Sequence, residues 1–316
     1  MTAPTRNTVL SSILAFIMGF FGGHVTAPST PPVVTPPPVV VESTVTPPPV
    51  VTPPPPSTGT VAYIVSDDFS KYTSTANLLA NVSSGAGGTG SASTALYSDG
   101  YNAQYASIDP TVKYNGHQTV KYTQPAGTGK SPALWASFHK SYKHIWYKAV
   151  VRFQPGFTTA GTTAGVANAY KLLGWGFDLY DGSGRVEITN TTQYYFYWNA
   201  LSKSGGAVLG GGTQTHAGDI VNEWTDGKWY VYVLDLDFSK SPVVTRLWIG
   251  ADGTPLVLRA ATSNTMQGSN ALPGITGIML GLNINNTLKN TQALWFGEFD
   301  VADGGTYQNP FNVPGI

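Results

Sequence analysis

Near the C-terminus the run Glu298-Phe299-Asp300-Val301-Ala302-Asp303 sets two carboxylates two residues apart in a stretch that otherwise reads as a strand. Strand alternation puts Glu298 and Asp300 on one face. A carboxylate pair so placed can supply the nucleophile and the acid/base of a retaining glycosidase, which lie ~5 Å apart. A second constellation is cationic. In the alternating stretch from Ile145 to Phe153, His144, Lys148 and Arg152 share one face with Trp146, a surface suited to an acidic sugar or to a solvated strand. Either His144 with Arg152 or Glu298 with Asp300 is therefore a candidate catalytic set, by lyase or by hydrolytic chemistry respectively.

Binding chemistry is concentrated elsewhere. Gln193-Tyr194-Tyr195-Phe196-Tyr197-Trp198-Asn199 holds five successive aromatics. Whichever face of that strand is buried, Tyr195 and Tyr197, or Tyr194, Phe196 and Trp198, point the other way. Exposed rings offer apolar platforms to sugar C–H faces, with Lys171 and Asn199 able to hydrogen-bond hydroxyls. Asp67 or Asp68 and Asp300 offer hard oxygen ligands for a structural Ca²⁺ if the terminal strands meet; capped turns without an ion are the alternative. The Gly-rich runs Gly85–Gly90 and Gly205–Gly212 lack the Gly-Lys-Ser/Thr and following helix of a phosphate loop.

Composition narrows the choice. Among 316 residues, 17 Lys+Arg balance 17 Asp+Glu and only 11% are charged. Nucleic acid is excluded as a partner, because neutralising several phosphates needs clustered cations. With no Cys, a disulfide scaffold, a thiolate metal site and a cysteine nucleophile are excluded together.

The first sixty residues differ from the rest. An apolar stretch from Val9 to Phe21 is short for a bilayer span and reads as a signal-peptide core within residues 1–27, either cleaved or retained as a membrane or cell-surface anchor. Residues 28–60 are mostly Pro, Val and Thr with one charge, Glu42, and hold 13 of the 23 prolines and three copies of Thr-Pro-Pro-Pro. Such a run is an extended, disordered polyproline II spacer of ~3.1 Å per residue. The chain is thus expected to be secreted or surface-anchored.

Residues 61–316 must position the chemistry, and their pattern is β. Ile145, Tyr147, Ala149, Val151 and Phe153 form one face of a strand; Tyr230, Tyr232, Leu234, Leu236 and Phe238 form one face of another. Further strands are expected at 61–66, 119–122, 172–180, 186–189, 193–201, 244–250, 256–260, 277–282 and 293–301. Asp181-Gly182-Ser183-Gly184, Asp226-Gly227 and Asp252-Gly253 read as the turns between them.

An order of motifs emerges: Asp67-Asp68-Phe69-Ser70, then Trp146–Phe153, Lys171-Leu172-Leu173-Gly174, Asp226-Gly227-Lys228-Trp229-Tyr230, Arg246–Gly250, Ile278-Met279-Leu280-Gly281 and Leu294–Val301. In that order they resemble the concanavalin A-like lectin/glucanase superfamily, nearest to its laminin-G-like and polysaccharide-lyase-like jelly rolls. The resemblance implies an all-β, antiparallel two-sheet sandwich whose first and last strands pair, often with carbohydrate on the concave sheet. Glu298–Asp303 resembles that superfamily's Glu-x-Asp-x-x-Glu glucanase signature, with Asp303 in place of the last Glu. Gln214-Thr215-His216 resembles the Gln-x-His of its alginate lyases, but between Gly210–Gly212 and Ala217-Gly218 it reads as a loop. The expected function is polysaccharide binding across a concave sheet containing Trp146, Arg152, Lys171, Tyr195, Tyr197 and Asn199. The alternatives are a polysaccharide-degrading lyase or glycoside hydrolase, and a virion or cell-surface structural or adhesion protein.

Overall fold

The computed structural model describes residues 60–316 apart from 81, 84–96, 129–132, 161, 163–169, 178–179, 190–192, 203–206, 220–222, 224, 241, 265–273 and 285–286. The expected signal segment and all but the last residue of the spacer lie outside the described residues. Among those described, no helix is long and apolar enough to cross a membrane.

Among the described residues, sixteen strands, one short α-helix and one 3-10 turn (Ala103–Tyr105, after β3) follow in order: β1 (Tyr63–Asp67), α1 (Thr75–Ala80), β2 (Val82–Ser83), β3 (Tyr97–Tyr101), β4 (Ala106–Tyr114), β5 (His117–Gln124), β6 (Ala133–Tyr142) and β7 (His144–Phe153). Then come β8 (Tyr170–Phe177), β9 (Tyr180–Thr189), β10 (Gln193–Ser202), β11 (Ala207–Asp219), β12 (Trp229–Asp237), β13 (Val243–Ala251), β14 (Val257–Asn264), β15 (Ile275–Ile284) and β16 (Gln292–Asp303). The first sheet runs β14-β13-β12-β7-β16-β5-β4, with β1 also paired to β16; the second runs β11-β10-β9-β8-β15-β6-β3-β2. Every pair is antiparallel except β2–β3. The sequence expectation of an all-β, two-sheet antiparallel sandwich with paired terminal strands matches this architecture, and β1 opposes β16 with Ser66 facing Asp300.

The sheets share one core. From the first sheet it takes Ile145, Tyr147, Ala149, Val151 and Phe153 with Tyr232, Leu234 and Leu236; from the second it takes Leu134, Ala136, Leu172, Leu173, Ile278 and Leu280. Two buried tyrosines tie the sheets across it: Tyr122 donates to the Leu280 carbonyl at 3.1 Å and Tyr147 to the Met279 carbonyl at 3.3 Å. Burial raises both phenol pKa values, so the hydroxyls stay protonated donors.

Three expectations are corrected. Asp181-Gly182-Ser183-Gly184 is not a turn but the first half of β9, paired to both β8 and β10. Gln214-Thr215-His216 is not on a loop but inside β11. Strands β2, β3, β4, β6 and β11 are absent from the sequence pattern. The β4–β5 hairpin turns through Asn115 and Gly116, both at positive φ (47° and 83°), as a tight two-residue hairpin requires.

Candidate functional site

In the second sheet, strand faces can be assigned from register, because residues directly opposite one another share a face. Leu134, Ala136, Ile278 and Leu280 point into the core, so their neighbours Trp135, Ser137, Gly277 and Met279 lie on the outward face. From Met279 the row continues to Gly174, Arg185, Tyr197 and Gln214. One row to the side, Gly277 leads through Gly176 and Ser183 to Asn199. On the other side Asn283 leads through Lys171 and Glu187 to Tyr195 and His216.

The register thus decides which half of the aromatic run faces out. Tyr195 and Tyr197 lie on the outward face with Asn199. Phe196 shares its row with Val186 and Leu173, on the core side. Lys171 and Gly174, three residues apart, both fall on the outward face because a register shift lies between Lys171 and Leu173. Leu172 and Leu173, the two residues between them, are both buried in the core.

Trp146 and Arg152 belong to the other sheet. The expected six-residue binding surface is therefore corrected: Lys171, Tyr195, Tyr197 and Asn199 share one face of the second sheet, while Trp146 and Arg152 lie on the outer face of the first. Alternation fixed the parity of each strand but could not assign it to a sheet. Trp146 is also covered. With Trp248, Val233, Ala302 and Val313 it forms a second small core, packed by Tyr307 and Phe311 from the C-terminal segment. Trp248 donates its Nε1–H to the Pro314 carbonyl at 3.0 Å.

The outer face of the first sheet also carries the four catalytic candidates, but not as one site. His144 and Arg152 are eight residues apart along β7, ~27 Å at strand rise. His144 Nε2 lies 2.6 Å from Asp235, whose other oxygen accepts from Arg246 at 3.0 Å. Arg152 stacks on the Trp295 indole, 5.7 Å from guanidinium to ring centroid, with Lys121 also over that ring. Trp295 in turn donates to Asp109 at 2.9 Å.

Glu298 and Asp300 do meet. A bulge at Gly297 lets Trp295 oppose Arg152 and, past it, Glu298 oppose Val150 and Asp300 oppose Lys148. Lys148 Nζ binds both carboxylates, at 2.7 Å to Asp300 and in a short contact to Glu298. Ser66 donates to Asp300 at 2.7 Å. Burial raises the Glu298 pKa, opposed by Lys148 and reinforced by Asp300. For Lys148, burial works against the ammonium, but Asp300 and Glu298 outweigh it and hold its pKa above the ordinary lysine value. Asp303, third in the motif, caps the turn after β16, accepting from Gly305 N at 2.9 Å and Thr306 Oγ1 at 3.3 Å.

Asp68, the other expected calcium ligand, lies two residues past Ser66 and accepts from Ser70 N and Oγ. Its pKa is lowered, chiefly by the Ser70 hydroxyl. Among the described residues no group of three or more His, Cys, Asp or Glu side chains is placed to hold a metal ion.

Sequence reasoning missed Arg185, Glu187 and Trp135. Arg185 and Glu187 alternate with Val186 and Ile188, a signal hidden by reading the preceding residues as a turn. Trp135 alternates with Leu134, Ala136 and Phe138, which marked it as outward once that stretch is taken as a strand.

No family model matches the chain, and no curated protein matches it. Among solved structures, an alginate lyase in complex with alginate tetrasaccharide is 12% identical, with 76% of this chain and 96% of that chain covered, at a TM-score of 0.46. An alginate lyase from Chlorella virus is 13% identical over 65% of this chain and 91% of that chain, with a TM-score of 0.42. A Bacteroides ovatus mixed-linkage glucan protein of family GH16, with bound product, is 15% identical over 64% and 86%, with a TM-score of 0.43.

Proposed function

We propose that residues 61–316 form a polysaccharide-binding domain whose ligand lies across the outward face of the second sheet. The observation that carries this reading is the register bringing Tyr195 and Tyr197 onto one face with Lys171, Arg185, Glu187 and Asn199. Aromatic residues interleaved with hydrogen-bonding ones are the combination that grips a sugar, apolar on its C–H face and polar at its rim. The apolar N-terminal stretch and the Pro/Thr run support display of this face outside the cell, at the end of a spacer.

The test is retention of the full-length chain on an array of neutral and acidic glycans. Binding that drops about tenfold in Tyr195→Ala or Tyr197→Ala supports the reading, a loss of about 1.4 kcal/mol. Retention indifferent to both substitutions removes this face as the site. No retention on any glycan favours a structural or adhesion role.

A lyase reading is favoured by one specific observation: Gln214 pairs with Tyr197 and His216 with Tyr195, one strand away from Arg185 and Glu187. Directly opposite positions have Cβ atoms ~5 Å apart. On a uronate polymer, Arg185 and Gln214 would neutralise the carboxylate, and His216 or Tyr195 would take the adjacent C–H proton. A tyrosine would return a proton to the departing glycosidic oxygen as the new C=C bond forms. Catalysis is read as ultraviolet absorbance of the unsaturated uronate product from alginate. Absorbance that vanishes in His216→Ala while retention survives identifies an enzyme; no absorbance from wild type leaves binding alone.

A further inference from the structure

The glycines of β8 and β15 make the middle of the second sheet's outward face unusual. Gly176 and Gly277 oppose one another, and the Trp135 indole reaches across both. A Cβ added at Gly176 would fall 2.6 Å from Trp135 Cζ2 and 2.7 Å from Cη2; one added at Gly277 would fall 2.6 Å from Nε1. Any other residue at Gly176 would push the indole off the sheet; at Gly277 the added Cβ would fall 2.7 Å from the Ala136 carbonyl oxygen as well. Glycine inside a strand weakens it and typically marks a close approach of a ligand or of other chain. Here two adjacent strands give up side chains to seat one part-buried tryptophan that contributes nothing to the core.

We infer that Trp135 is a fixed stacking platform for one sugar ring of the polymer, forming a second aromatic subsite on the face that carries Tyr195 and Tyr197. The inference rests on the glycan-binding reading of that face. Trp135 belongs to the same cross-strand row as Met279, Gly174, Arg185 and Tyr197. Its indole reaches β8, two strands from β10, which is ~10 Å at the usual strand spacing. The glycan that engages both subsites therefore runs across the strands, from β10 towards β6, and must be an oligosaccharide long enough to bridge them. Anchoring the indole against glycine backbone removes the rotamer freedom that binding would otherwise cost.

The experiment measures the affinity of the full-length chain for two graded-length series, alginate oligosaccharides and cello-oligosaccharides, from disaccharide upward. Wild type is expected to gain affinity at the length that first reaches Trp135. Trp135→Ala should lose that gain, about tenfold for long oligomers, with short oligomers unaffected; their unchanged binding reports an intact fold. Trp135→Phe should keep part of it. Gly176→Ala, which retains Trp135 but displaces its ring, should behave like Trp135→Ala. A length gain persisting in Trp135→Ala and Gly176→Ala overturns this inference alone, provided Arg185→Ala still weakens binding. If wild type binds neither series at any length and is retained on no glycan of the array, the glycan reading of the face fails with it.

Discussion

Lys148 on β7 and Asp300 on β16 face each other across the centre of the first sheet, 2.7 Å apart, with Glu298 on the same ammonium. Two carboxylates thus share one cation at a largely buried position on the outer face of the first sheet. Ser66 of β1 bonds the same Asp300, so the cluster also ties the first strand to the last.

Removing the cation should be costly. Lys148→Met leaves two largely buried carboxylates without their cation and is expected to destabilise the domain by about 3 kcal/mol, the usual cost of breaking a buried pair. The Lys148→Met/Glu298→Gln/Asp300→Asn triple variant should recover much of that loss. Urea unfolding monitored by tryptophan fluorescence measures both.

Trp146 and Tyr197 should separate stability from recognition. Trp146→Ala opens a cavity beneath Trp248 and Val313 and is expected to cost about 3–5 kcal/mol, with glycan affinity unchanged in the folded fraction. Tyr197→Ala should lower affinity with little change in the unfolding midpoint. Paired unfolding and binding isotherms on the two variants check this.

The C-terminal segment should prove part of the fold. Ending the chain at Gly304 removes Tyr307, Phe311 and Val313 from the small core around Trp146 and Trp248, and removes the Pro314 carbonyl that accepts from Trp248. At about 1.5–3 kcal/mol per buried apolar side chain, the expected loss is at least about 3 kcal/mol. Red-shifted tryptophan emission and binding of a hydrophobic dye should accompany it.

Asp109 should write a pH dependence into stability. Burial alone would raise its pKa, but bonds from Thr111, Trp295 and Val112 outweigh it and hold it down at about 2, below the ordinary 3.8. A carboxylate depressed in the folded state stabilises above its unfolded pKa and loses that contribution as pH falls through the folded value. The stability gap between wild type and Asp109→Asn should therefore be constant above pH 5 and narrow between about pH 4 and about pH 2. Unfolding midpoints across that range measure it.

The sequence by itself determined strand identity and parity wherever alternation was uninterrupted. Ile145 to Phe153 and Tyr230 to Phe238 present inward the residues that the alternation assigns there, and Glu298 and Asp300 do share a face. Local side-chain chemistry suffices for this, since successive Cβ atoms point to opposite sides of a strand. Three things were decided only in the tertiary structure. Sheet membership put Trp146 and Arg152 on one sheet and Lys171 and Tyr197 on the other. Bulges at Gly297 and before Leu173 moved residues of opposite parity onto one face. Register chose Tyr195 and Tyr197 over Tyr194, Phe196 and Trp198, and brought Gln214, His216 and Arg185 beside them. Each depends on pairing between segments far apart in the chain, which no local periodicity encodes, and the outward position of Trp135 over two glycines is the same kind of fact.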